Sequence, residues 1–240
     1  MQLSQPQANR PGFAAIDASV DARAGFLVKT YLHLVMAIFA FTFLEIGIFR
    51  TGSDVVFMNA LNTYLPGRLG QIVVLGLFMA SGFVANRWAR SSTSPAMAYA
   101  GLGLAVVAWS IMFIPMLSAA VHYTDPGLLP SAALTTLVLF GGLTGIVFLT
   151  RKDFSFLRGI LGVATLGALG TIVASLVFDL SLGTLFSGAM VVLAGGYVLY
   201  DTSNVLHHYR TDQHVPAALA LFGSIALMFW YVLRIFMSRD

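Results

Sequence analysis

Charge is what this chain of 240 residues has least of. Lysine and arginine number 13 and aspartate and glutamate 10, so charged side chains make up only 10% of the sequence. A soluble domain carries about a quarter charged residues and clothes its surface in them. So small a supply cannot coat a soluble particle of this mass, which excludes a water-soluble globule. Cysteine is absent. That excludes disulfides, thiol catalysis and cysteine-based metal sites, and it says nothing about compartment. Lysine occurs only at Lys29 and Lys152, so a retinal Schiff base, which needs a lysine in the last span, is excluded. No Lys/Arg-rich run with interleaved aromatics lies outside the apolar stretches, and the formal charge of +3 therefore does not point to nucleic acid.

What is present is apolar. Hydrophobic residues are 58% of the chain and the mean hydropathy is +0.85. The few charges fall in short patches between long uncharged runs, the pattern of membrane spans. Seven runs reach the roughly 20 residues that a helix needs to cross a bilayer. They cover 27–49, 69–88, 95–117, 131–150, 159–178, 184–206 and 215–237. Each must be helical, because backbone groups left unpaired in lipid cost several kcal/mol. A transmembrane barrel is excluded, since its strands alternate in hydrophobicity and these runs do not. The expected class is an all-α membrane protein, a seven-helix bundle in a single domain over residues 27–240. Residues 1–26 are polar and lack the basic start and short apolar run of a secretory signal. They read as a flexible cytoplasmic arm.

The positive-inside rule orients the spans. Arg10, Arg23, Lys29, Arg87, Arg90, Arg151, Lys152, Arg158 and Arg210 fall on one side, against Arg50, Arg68, Arg234 and Arg239 on the other. This places the N-terminus in the cytoplasm and the C-terminus outside. The seventh span carries Pro216 and a Gly223-Ser224 pair, which leaves room for a broken or partly re-entrant helix. Small residues recur at helical spacing, at Gly141/Gly145, Gly170/Ala174 and Gly101/Ala105, and read as sites of close helix packing.

Polar groups inside the spans each call for an explanation, because hydrocarbon penalises them. Lys29 lies at a span end and can snorkel. His33 reads as a neutral, hydrogen-bonded histidine; one histidine alone is not a metal site. Glu45 lies near the outer end, where an ion pair with Arg50 or Arg68, or a role at an outer gate, would account for it. Asp201 stands apart. It is inside the apolar run of the sixth span, near its basic end, and helical spacing aligns Tyr197, Asp201, Asn204 and His208. A carboxylate shielded from water there can change charge in the physiological range, and His207, His208 and His214 stand nearby. Enzyme readings find no support. Ser187 has no histidine at comparable depth to act as base, and a haem pair would need two buried histidines where only His33 lies within a span.

The stretch Gly196-Tyr-Val-Leu-Tyr-Asp-Thr-Ser-Asn-Val-Leu206, followed by a polar connection and Val215-Pro-Ala-Ala-Leu-Ala-Leu-Phe222, resembles the Bax inhibitor-1 family. So does Thr135-Thr-Leu-Val-Leu-Phe140 with Thr150-Arg-Lys-Asp-Phe-Ser-Phe-Leu157. The likeness extends from about residue 27 onward and includes bacterial-type members. It implies a seven-helix bundle with the last helix at its centre. It also implies a calcium leak across the membrane, suppression of cell death in eukaryotes, and in some bacteria modulation of a membrane-bound AAA protease. In bacterial relatives two aspartates, in spans six and seven, share a proton as a pH-sensitive latch. Asp201 matches the first. The second falls on Ser224, in Leu221-Phe-Gly-Ser-Ile225, where the family pattern is Leu-Tyr-x-Asp. Arg68 corresponds to the family's outer arginine.

The expectation is therefore a bilayer protein, most simply of a bacterial inner membrane. It passes calcium or another cation through a pH-modulated gate at Asp201 and Ser224, with Tyr197, Asn204, His208, Glu45 and Arg68 in support. It has no resident cofactor, and calcium binding is transient, because no cluster supplies the several oxygen ligands that calcium prefers. The alternative is a regulator that binds another membrane protein or a membrane AAA protease and moves no ions.

Overall fold

The computed structural model describes residues 14–91 and 94–238, and among these the architecture is all-α. In chain order the helices are α1 (Val20–Arg50), α2 (Ser53–Tyr64), α3 (Gly67–Ala89), α4 (Pro95–Tyr123), α5 (Leu128–Thr150), α6 (Leu157–Phe178), α7 (Thr184–His207) and α8 (His214–Met237). Seven of them are long and apolar enough to cross a membrane. The exception, α2, lies in what the sequence presents as a connection. Its 12 residues rise only about 18 Å, too short for a crossing. Gly52 starts it from the left-handed region at φ 68°. Asp54 in its first turn is buried and faces α4, with Oδ2 3.2 Å from His122 Nε2 and 3.5 Å from Ser118 Oγ.

The first transmembrane helix begins earlier than its apolar run. Ser19 caps α1, its hydroxyl accepting from the Ala22 N–H at 3.3 Å. Before it, a short 3-10 turn at Ala15–Asp17 is docked rather than loose. Ala15 is fully buried, its N–H donates to the Tyr209 carbonyl at 2.8 Å, and Ala14 pairs with Arg210 as an isolated antiparallel bridge. The boundary at residue 26 thus moves back, since residues 14–26 are helical or held against the α7–α8 connection. Residues 1–13 of the expected arm lie outside the described residues.

The last helix occupies the centre. Over its most apolar stretch α8 is 56% buried, against 6% for α6, and it packs on α1, α3, α4, α5 and α7. It is continuous from His214 to Met237, not broken or re-entrant. Pro216 falls in the first turn, where no intrahelical donor is needed. Around α8 the aromatic rings interlock. Phe113 of α4 is fully buried and lies 5.2 Å from Phe41, 5.4 Å from Phe229 and 5.1 Å from Trp230, centroid to centroid. Lipid tails are as apolar as these side chains, so dense packing rather than escape from water holds such contacts together.

The small-residue pairs divide. A Cβ on Gly101 would come within 2.5 Å of the Ala89 nitrogen and 2.6 Å of the Ala85 carbonyl, so this glycine is where α4 and α3 touch. At Gly141, Gly145 and Gly170 a Cβ would meet nothing. Their spacing suggested internal packing, and within the described bundle it is not used.

Candidate functional site

Asp201 and Ser224 meet in the interior. Asp201 lies about 9 Å of helical rise before the end of α7, and Ser224 about 15 Å beyond the start of α8. The two helices run antiparallel through the short 208–213 connection, with their ends offset enough for the residues to meet. The Ser224 hydroxyl donates to Asp201 Oδ2 in a short hydrogen bond. Both side chains are buried, at 8% and 5% exposure. Where a second carboxylate would repel the first, Ser224 offers a neutral hydroxyl donor instead. Arg90, at the C-cap of α3, adds a minor electrostatic attraction to Asp201.

The stripe Tyr197, Asp201, Asn204 and His208 does not act as one surface. Tyr197 Oη bonds Thr165 Oγ1 of α6 at 2.7 Å. Asn204 contributes its carbonyl, which accepts from the N–H groups of His208 and Tyr209, both at 2.8 Å, and so closes the end of α7. His208 turns to the α5–α6 connection, with Nε2 3.1 Å from Asp153 Oδ2. Of the four, Asp201 is the residue bonded to α8, through Ser224. Just beyond α7, burial pushes the Tyr209 phenol up to about 12, with the Asp201 carboxylate adding to the rise and Arg90 opposing it.

At the opposite end the charges pair differently from expectation. Arg68 binds Asp179 at 2.6 Å in an exposed ion pair and also reaches the Val177 carbonyl at 3.4 Å. It is remote from Asp201 and makes no pair with Glu45. Glu45 is buried, with Ser110 of α4 as its polar neighbour, and no hydrogen bond of regular geometry reaches either carboxylate oxygen. An ion pair with Arg50 or Arg68 therefore does not account for it. Nor is His33 solitary, for its ring lies 4.8 Å from that of His214, and its Nε2 is 3.1 Å from Tyr99 Oη. The acidic residues of this end are also mostly engaged: Asp54 is buried against α4, and Asp179 is bound to Arg68. Among the described residues, no three His, Asp or Glu side chains gather as a metal would require.

A family model described as Inhibitor of apoptosis-promoting Bax1 matches residues 23–240. The chain belongs to this Bax inhibitor-1 family. Among its relatives, a Pseudomonas aeruginosa protein is 36% identical over 105 residues, 43% of this chain and 46% of that one. The modulator of FtsH protease YccA of Escherichia coli is 32% identical over 108 residues, 44% and 49% of the two chains. Mouse protein lifeguard 4 is 23% identical over 224 residues, 93% and 89%. The matched region thus spans about half the length of the two bacterial relatives and most of the mouse one.

Three residues of the site escaped sequence reasoning. Arg90 read as an orienting charge, and nothing local ties it to Asp201. Asp153 stood in the family-like Thr150-Arg-Lys-Asp-Phe stretch with no chemical role attached. Ser203 is one serine in an apolar run, yet it is fully buried and joins Asp153 to α7.

Proposed function

We propose that this member of the Bax inhibitor-1 family is a pH-modulated leak pathway for calcium or another small cation, gated where Asp201 meets Ser224. The carrying observation is the buried carboxylate between α7 and the central α8, held by a neutral hydroxyl. A charge in that position attracts a cation and a proton alike, so occupancy by either changes the contact that ties the two helices. With serine in place of a second aspartate the gate holds one negative charge. Its response to pH is that of a single carboxylate, tuned differently from the two-step response of a shared-proton pair. The lone carboxylate offers too few oxygens for a stable calcium site, and passage is transient. The basic end faces the cytoplasm, by the excess of Lys and Arg there, and a bacterial inner membrane is the proposed location.

The test is calcium entry into liposomes holding an indicator, followed from pH 5 to 8 beside Asp201→Asn and empty vesicles. The expected result is flux above empty vesicles that varies with pH and loses that variation in Asp201→Asn. Flux equal to that of empty vesicles at every pH would overturn the reading.

A second reading has its own support. The E. coli relative is named a modulator of FtsH protease, and a chain that regulates a membrane protease need move no ions. Co-purification with such a protease, combined with absent flux, would favour it.

A further inference from the structure

The α5–α6 connection holds the end of α7 through one carboxylate. Arg151 ends α5 in the left-handed region at φ 51°, and the chain then presents Asp153 to α7. Its Oδ1 accepts from the Ser155 N–H at 2.8 Å and from the Ser203 hydroxyl at 3.3 Å, while Oδ2 lies 3.1 Å from His208 Nε2. Ser203 answers by accepting from the Phe154 N–H at 2.8 Å. Ser203 and His208 stand on either side of the last turn of α7, and Ser203 is two residues from Asp201. His207, buried beside them, has Nδ1 2.9 Å from the Ser203 carbonyl. Bonds to a carboxylate are the strong class of hydrogen bond, and here they join two separate connections of the basic end.

We propose that Asp153 is a positioning residue for the gate: through Ser203 and His208 it fixes the end of α7 so that Asp201 stays against Ser224. The proposal rests on the reading of that contact as the gate. A hinge at the α7–α8 connection would swing the last turns of α7 away from α8, and the Asp153 bonds must break first. On the other flank, the Ala15 N–H to the Tyr209 carbonyl holds the same connection. The charged and titratable groups around the staple are Arg151 and Lys152 of its own connection, Arg158 at the start of α6, Asp201, His207 and His208 of α7, and Tyr209 and Arg210 beyond it. Apart from the gate's own Asp201, histidine is the one of these residue types that changes charge between pH 5 and 8.

The absence of cysteine makes the experiment direct. Thr202, fully buried beside Ser203, is replaced as Thr202→Cys in the full chain, and its labelling by a water-soluble maleimide is timed from pH 5 to 8, each rate divided by that of a free thiol at the same pH because only the thiolate reacts. Adding Asp153→Ala or Ser203→Ala should speed labelling about tenfold, the population change expected on losing a net charge-assisted hydrogen bond. Asp153→Asn keeps an acceptor for Ser155 and Ser203 but loses the charge facing His208. It should lie between, with a flattened pH profile, and His208→Gln should flatten the profile as well. Wild-type rates and profiles in all four would overturn the proposal. Should Asp153→Ala fail to fold, seen as lost helical circular dichroism, the other three variants decide. Labelling does not read flux, so absent calcium entry with accelerated labelling sinks the leak and leaves the staple standing; normal entry with unaltered labelling does the reverse.

Discussion

At Ser224 a single hydroxyl decides the character of the interior. It gives Asp201 a donor without giving it a rival charge. Ser224→Ala removes that donor and leaves a buried carboxylate oxygen unpaired. The expected cost is about 1–3 kcal/mol of stability, read as a lower midpoint of thermal unfolding in detergent. Ser224→Asp supplies the second carboxylate that the resemblance to the family implies. Two carboxylates in contact cannot both ionise readily and release their protons in two separated steps, so calcium entry in this variant should respond to pH over a different range from that of the parent chain. The same curve in both would mean that the contact does not sense protons.

At the scale of elements, the glycines show where helices touch. Gly101→Ala sets a methyl group against the backbone of α3, which cannot yield as a flexible side chain would. The expected loss is about 1–3 kcal/mol. Gly141→Ala meets open space and should be neutral, or stabilise α5 by up to about 1 kcal/mol through helix propensity. Melting temperatures of the two variants side by side check the contrast. The short helix α2 is tied to α4 through buried Asp54, and that docking was not legible in the sequence. An Asp in the first turn of any helix reads equally well as a partner for the helix dipole. Its burial against His122 and Ser118 depends on a fold that brings residue 54 to residue 118.

For the whole molecule, acid should loosen the basic end first. The Ser155 backbone N–H, with His208 assisting and slight burial opposing, holds the Asp153 carboxyl below its ordinary value. A depressed carboxylate contributes stability that is fully present above its unfolded value of about 3.9. The contribution is lost as pH falls through the lower folded value. The labelling rate at Thr202→Cys, divided by that of a free thiol at the same pH, should therefore rise below about pH 4, and Asp153→Ala should abolish that step. A rise of equal size in Asp153→Ala would assign it to another group. The proposed orientation is checked separately, by reporter fusions that place the N-terminus inside and the C-terminus outside.

The class of the protein and the order of its spans were decided by the sequence alone, because hydrocarbon imposes a local rule. A run of about 20 apolar residues must be helical and must cross, whatever its neighbours do. Asp201 was visible for the same reason, since a carboxylate in such a run is out of place by itself. Its partner Ser224 was legible only by resemblance, because a serine in a span is unremarkable. What polar groups bond to is not local. Arg68 lies with Asp179, and Glu45 lies beside Ser110. Each pairing depends on which helices adjoin and at what level. So too with the small residues, whose spacing is alike at Gly101 and Gly141 while only one meets a neighbour. Helix–helix contacts in lipid come from shape and a few hydrogen bonds rather than a general drive to bury. The choice of partners was therefore left to the tertiary structure.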